Sequence, residues 1–505
     1  MDFYQVLGTS NRRRLQLIEI LYYNREGVSS ERILNELNCS LPLLLSDIKL
    51  INERQTNFIV EKEKGVYRVK LKKQIGIGKV YSEALNNSPE FQIIEQLLYE
   101  QCDNISELSK RVFLSFSNAQ RFLKKMENKL SEAGIQLCYR PLRLEGKESV
   151  IRHFFYRYFI EKQYAVKIVL PKLKEYQSKT IEAFAAKFTE INRFNKKYIF
   201  QKRLTYNIFI SLWRIKNDHP YPEEELRTTG LILPEKNEVS EFRDIVSEAF
   251  RFQLTDEMMR DCLWLSFSDA IVFSKSHREA ALKDNARYKQ LFNAHQQLVE
   301  QFIDLTGGTV DMEEINELTT VLLNDTYLYD AKEGEFLTIL RNSRKTFLET
   351  VKLIHLHAVE EVTKLVQNFV QENKMYQKPD YISNYVYLLL TGKVDSLELL
   401  ASYDKTIRLL LISDLSPTEE EYISAVITQM VYGNFEIYHF EDLWNENGNL
   451  VDNITNYDAL ITTGAMEELP KEFPVVPIEP YVTPQMIVTI QNLVNELPKK
   501  RSLVS

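Results

Sequence analysis

One order of pattern occurs twice between residues 12 and 144: an amphipathic helix, a short capped helix, a second capped helix, then alternating residues suited to a hairpin. A chain that repeats this order is expected to begin as two successive winged helix-turn-helix units. In the first copy, RRRLQLIEILYYN puts Leu15, Ile18, Leu21 and Tyr22 on one helical face. Gly27-Val28-Ser29-Ser30 breaks that helix and caps a short one from Ser30 to Leu37. Asn38-Cys39-Ser40 then turns into a third helix, with Pro42 in the first turn, where backbone donors are unpaired anyway. Leu41, Leu44, Leu45, Ile48 and Ile51 are its expected buried stripe, and Leu43, Ser46, Asp47 and Lys49 its expected exposed face. Asn57 to Leu71, with Gly65 between two alternating stretches, reads as a two-stranded wing.

In the second copy, Pro89 starts PEFQIIEQLLYE, with Phe91, Ile94, Leu97 and Leu98 inward. Asn104-Ile105-Ser106 opens a short helix to Arg111, and Ser115 or Ser117 caps a longer one that Gly134 ends. Ala119, Phe122, Leu123, Met126 and Leu130 form its apolar face, while Ser117, Asn118, Gln120, Arg121, Lys124, Lys125 and Lys129 lie on the polar side. A helix that reads bases needs amide and guanidinium groups near its N-terminus and cations farther along for phosphates. This helix has both. The first copy's third helix is poorly basic, so Arg12, Arg13, Arg14, Lys49, Arg54, Lys62 and Lys64 are expected to clamp the backbone rather than read sequence.

Charge divides the chain. Residues 1–220 hold 38 Lys+Arg against 24 Asp+Glu, a balance of +14, and the remainder carries −22, for a net −8. A basic front and an acidic back point to an anionic partner at the front. No run of 18 apolar residues occurs, and no signal peptide is legible, so a cytoplasmic protein without a membrane partner is expected. The four cysteines are scattered with no CxxC pair, which leaves no local metal spacing. No Gly-rich phosphate loop, HExxH or nucleophile elbow is present, so neither enzyme activity nor a cofactor is expected.

The string LSFSNAQRFLKKMENKLSEAGIQL, followed by PLRLEGKESVIRHFFYRYF, resembles the Mga helix-turn-helix domain and its junction to the next domain. The resembled regulators are the Mga/AtxA-type virulence and global transcription regulators of Gram-positive bacteria. The resemblance implies a mainly α multidomain fold in five parts: winged units over 1–72 and 73–146, two all-α phosphotransferase-regulation-like domains over 147–284 and 285–398, and a C-terminal α/β domain like the IIB component of sugar phosphotransferase systems over 399–505. It also implies double-stranded promoter DNA, a homodimer, a phosphotransferase phosphocarrier protein and RNA polymerase as partners.

The middle shows helical periods over Ile181 to Tyr198, Glu241 to Phe252, Ala286 to Leu305 and Thr346 to Glu372. In the resembled domains histidines are phosphorylated, but Asn207 stands where LTYNIFISLWRIKNDH should carry one, and LTDEMMRDCLWLSF has none. His219, His355 and His357 remain as regulatory candidates, against the plainer reading of surface or packing histidines. From Lys405 the period shortens: strands over Thr406 to Ile412, Phe435 to Phe440, Asp458 to Ile461 and Val475 to Ile478 alternate with helices, which argues for a parallel sheet. The loop after the first strand, Ser413 to Thr418, lacks the phosphate-accepting cysteine of the IIB enzymes and is followed by three glutamates. Transcription regulation by DNA binding, probing toward activation, is the leading expectation. An RNA-binding antiterminator and a phosphotransferase enzyme are the alternatives.

Overall fold

A computed structural model describes residues 3–54, 57–72, 75–163, 167–194, 198–226, 231–268, 271–307, 311–327, 338–352, 355–393, 396, 406–439, 454–464, 469–470 and 473–502. The fold is mainly α-helical and multidomain, with a parallel α/β region at the C-terminal end. The chain divides into two compact units: Met1–Gln296 with Thr319–Asn342 and Lys374–Tyr381, and Gln297–Leu318 with Ser343–Asn373 and Ile382–Ser505.

The first unit opens with α1 (Thr9–Tyr23), β1 (Val28–Ser29), α2 (Ser30–Leu37), α3 (Leu41–Arg54), β2 (Phe58–Glu63) and β3 (Val66–Leu71). Ser29 caps α2, its side chain accepting from the Arg32 amide, and the helix has the expected bounds. Val28 and Ser29 pair with Tyr67 and Val66, so the wing has three antiparallel strands in the order β1-β3-β2 instead of two. The β2–β3 connection is Lys64-Gly65, both at positive φ (48° and 87°), the hairpin turn whose twist matches the strands.

The buried stripe of α3 differs from the expected one. Leu44 and Ile51 are buried, but Leu41 and Leu45 are exposed and Asp47 is only 3 % exposed. Arg13 and Arg14 of α1 reach Asp47 at 2.6 Å and 3.4 Å, and this paired carboxylate takes a place in the stripe where a leucine was expected.

The next segment is α4 (Ile77–Asn87), α5 (Pro89–Tyr99), α6 (Ile105–Arg111), α7 (Phe116–Glu132), β4 (Gln136–Tyr139) and β5 (Leu142–Glu145). α4 was not legible in the sequence, where Gly76 and Gly78 mask its period, yet it buries Val80, Tyr81 and Leu85. The helices α8 (Glu148–Lys162), α9 (Glu175–Ile191), α10 (Tyr198–Lys216), α11 (Ser240–Phe250) and α12 (Asp256–Cys262) follow. The expected helix from Ile181 to Tyr198 is two helices, because α9 ends at Ile191 with Asn192 as its cap and Arg193 takes φ 52°. A single core runs from Phe3 through α1, α5, α7, α8 and α10, so the winged elements share apolar packing with the helices behind them.

In the second unit the expected helix from Thr346 to Glu372 is also two, Ser343–Lys352 and Leu356–Glu372, with His355 as the cap residue of the latter. The C-terminal sheet has β6 (Ile407–Ile412), β7 (Phe435–His439), β8 (Ala459–Thr462) and β9 (Val475–Pro477), all parallel in the order β7-β6-β8-β9. Leu409, Leu411 and Ile461 on one face pack with Ile423, Ile427, Ile490 and Val494 of the helices Pro417–Met430 and Pro484–Ser502. Lys405 and Phe440, named in the expected strand limits, and Lys73 and Glu398 to Leu400 at expected domain limits, lie outside the described residues. Among the described residues no helix is long and apolar enough to cross a membrane.

Candidate nucleic-acid interface

The second helix-turn-helix is held by two side-chain caps. Asn104 accepts from the Glu107 amide at 3.1 Å, and Ser115 accepts from the Asn118 amide at 3.2 Å, which fixes where α6 and α7 begin. Ser115 is thus the cap, and Ser117 is left exposed in the first turn. Ala119, Phe122, Leu123, Met126 and Leu130 bury the inner face of α7. The outer face borders a groove of about 930 Å³, closed on one side by the start of α6 and on the other by Tyr139 and Arg140 of the β4–β5 connection. Ser117, Gln120, Arg121, Lys124 and Lys125 line it together with Phe116 and Asn128.

The cations of this face are arranged unequally. Arg121 and Lys125 lie 5.2 Å and 6.0 Å from the Phe122 ring, and Lys125 donates to the Gln5 carbonyl at 3.3 Å. Burial, then the nearby charges of Arg12 and Arg121, hold the Lys125 ammonium below its usual range. Arg12 of the first winged unit thereby belongs electrostatically to the second. Lys124 pairs with Glu127 at 2.6 Å, and that bond keeps the Glu127 carboxyl low. Glu127 also accepts from Tyr139, whose phenol is pushed up to about 12, first by burial and then by that carboxylate. Lys129 is paired with Glu132 at 2.6 Å and stands outside the groove lining. Asn118 is half-buried beside the cap.

The first unit's candidates are brought to a different use. Arg13 and Arg14 are committed to Asp47. Lys49 is exposed, 3.8 Å from Glu53, and the Arg54 side chain lies outside the described residues. Lys62 sits 5.3 Å from the Tyr67 ring and Lys64 is exposed at the wing turn. Leu41, Leu43 and Leu45 present 44 %, 39 % and 49 % of their surface on α3, where a base-reading helix would carry polar groups.

Behind the groove lies a chain of buried charges that the periodicity did not disclose. Arg214 of α10 bonds Glu100, which ends α5, at 3.0 Å and Glu148, which begins α8, at 2.9 Å through two nitrogens. Arg152 bonds Glu148 at 2.9 Å and Asp261 of α12 at 2.5 Å, and Asp261 accepts from the Tyr221 amide at 2.7 Å. Burial works against the Glu148 charge, but Arg152 and Arg214 outweigh it and hold the carboxyl low. The available signal was charge inside apolar strings, Arg152 in VIRHFFYRYF and Arg214 in IFISLWRI.

His219 joins this chain at its edge, its Nε2 2.9 Å from Glu100. His355 is buried with its ring 5.5 Å from that of Tyr432, and His357 is half-exposed 3.7 Å from Glu360. Asn207 is buried, its amide donating to the Arg203 carbonyl at 2.8 Å. After β6, Ser413 is hydrogen-bonded to Glu420, which also meets His439 at 2.6 Å, while Glu419 turns back onto Ser416. Two of the three glutamates that follow this loop are thus engaged locally. Among the described residues no cluster of His, Cys, Asp or Glu could hold a metal ion.

Residues 74–159 match the model of the Mga helix-turn-helix domain, a span that contains α6, α7, the groove and Glu148 to Arg152. Over the longer chain, a Streptococcus pneumoniae serotype 4 protein named "Putative trans-acting regulator" is 18 % identical over 466 residues, 90 % of this chain and 92 % of the relative. The capsule synthesis positive regulator AcpB of Bacillus anthracis is 20 % identical over 429 residues, 83 % of this chain and 86 % of its own. The capsule synthesis positive regulator AcpA of the same organism is 28 % identical over 151 residues, 30 % and 31 % of the two chains. These relatives are named as regulators, not enzymes. The chain thus holds a segment that matches the Mga helix-turn-helix domain and is similar, at low identity over most of its length, to proteins named as regulators.

Proposed function

We propose that this chain binds double-stranded promoter DNA sequence-specifically and activates transcription as a cytoplasmic homodimer. The observation that carries the reading is the groove along the exposed face of α7, lined by Ser117, Gln120, Arg121, Lys124 and Lys125. It has an amide and a guanidinium near the helix start and ammonium groups farther along, the order in which a major groove presents base edges and then phosphates. The names of AcpA and AcpB, positive regulators, favour activation over repression. Lys49, Lys62, Lys64, Arg54 and Arg12 are assigned to backbone contacts.

In this reading residues 1–72 and 73–146 are the two winged units, 147–284 and 285–398 are helical regulatory domains, and 399–505 is a IIB-like domain that carries no phosphoryl group. The expected protein partners are RNA polymerase and the phosphocarrier protein of the sugar phosphotransferase system. Of the histidines, His219 has the clearest physical consequence. A phosphoryl group on its Nε2 adds close to two negative charges against Glu100, so the present contact has to break.

The test is electrophoretic binding of the full chain to double-stranded DNA at two salt concentrations. Affinity should fall steeply with salt, because each phosphate neutralised releases a counterion. Equal or tighter binding to single-stranded RNA would point to antitermination instead.

A further inference from the structure

Tyr139 reaches the groove from the β4–β5 connection, whereas α7 itself contributes one aromatic ring among polar residues. Phe116 occupies the first position of α7, directly after the Ser115 cap, is 50 % exposed and lines the groove. It lies one turn before Gln120 and two before Lys124, so the three form a row along one face. Its neighbours along the groove are polar or cationic: Ser117, Gln120, Arg121, Lys124. An apolar ring at the start of a reading helix has one apolar counterpart in the major groove, the 5-methyl group of thymine. Phosphates and the other base edges offer only donors, acceptors and charge.

We infer that Phe116 is a specificity-determining residue that packs on a thymine methyl, with Gln120 one turn on placed for the adenine of a nearby A·T pair. The inference rests on α7 being the helix that enters the major groove. Phe113 is the useful contrast. It is 91 % exposed in the α6–α7 turn, at φ 55°, and lies outside the groove lining. Exposure alone therefore does not single out Phe116. Its place on the row with Gln120 does.

The experiment uses the full chain and duplexes enriched by it from random-sequence DNA. Each thymine of an enriched duplex is replaced in turn by deoxyuridine, which removes only the methyl group. Binding should weaken roughly fourfold at one or two positions, the size expected for one buried methyl, and stay level at the others. Phe116→Ala should bind the thymine duplex as weakly as wild type binds the deoxyuridine duplex, and should show no difference between the two. Phe116→Leu should keep a reduced difference, and Phe113→Ala the full one. A thermal unfolding curve shared by Phe116→Ala and wild type excludes a folding cause. Wild type indifferent to deoxyuridine at every position, or a Phe116→Ala protein that keeps the difference, overturns the inference while leaving DNA binding intact. Failure to enrich any sequence sinks the sequence-specific reading and this inference with it.

Discussion

The two winged units are built on one plan and use their charges in opposite directions. In the first, Arg13 and Arg14 turn inward onto Asp47, the wing's Lys70 and Arg68 are paired with Glu61 and Glu63, and Leu41, Leu43 and Leu45 are exposed on α3. In the second, the inward face of α7 is wholly apolar and Arg121, Lys124 and Lys125 line an open groove, Lys124 beside Glu127, while Lys129 is paired outside it. A repeated fold therefore does not imply a repeated role. What decides is whether the arginines of a helical unit are consumed by its own packing or left at its surface.

The largest effect expected from this contrast is on DNA affinity. Replacing Arg121, Lys124 and Lys125 together by alanine should lower it by roughly three orders of magnitude at low salt and flatten its salt dependence by about three ions. The matched change in the first unit, Lys49, Lys62 and Lys64 to alanine, should cost under about tenfold. Comparable losses would erase the distinction.

Next is a stability effect confined to the first unit. Asp47→Ala leaves Arg13 and Arg14 facing a site without its carboxylate and should cost on the order of 3 kcal/mol in denaturant unfolding. Because those arginines are structural, the released charge should not tighten DNA binding measurably. A clear gain in affinity would show that the first unit can be turned into a second reading head.

A pH titration separates loss of binding from loss of fold. Burial pushes His277 and His295 down to about 4, from an unfolded value near 6.5. In the window between these values the unfolded chain binds more protons. Stability should then be full above about pH 6.5 and fall as pH drops toward 4, by roughly 2 kcal/mol for each of the two histidines at pH 5. A melting temperature flat over this range would show that these rings are not held neutral. The smallest effect is Lys129→Ala, which should change affinity by less than about twofold, since Lys129 is paired with Glu132 away from the groove.

The apolar periods gave the inner face of α7 correctly, because Ala119, Phe122, Leu123, Met126 and Leu130 obey a helical repeat with no competing residue. The same reasoning misplaced Leu41 and Leu45. A leucine count cannot see that a buried aspartate, paired with arginines 33 and 34 residues earlier, sets which side of α3 faces inward. The chain of charges through Glu148 was hidden for the same reason, since its partners are 66 and 109 residues distant. Phe116 escaped notice because a search for nucleic-acid contacts favours cations and amides. Its spacing from Gln120 and Lys124 was in the sequence all along. The breaks at Asn192 and before Leu356 were illegible because the apolar repeat continues across both.

The link from Glu100 through Arg214, Glu148 and Arg152 to Asp261 also limits how the molecule can be cut. A fragment ending near residue 146 would keep Glu100 but discard Arg214 and His219, which pair with it, and would bare the apolar sides of α5 and β5. The winged segment is thus not a transplantable cassette. Its α5 end is tied by ion pairs to α8, α10 and α12, so the winged elements and the helices behind them are joined by charge as well as by apolar packing.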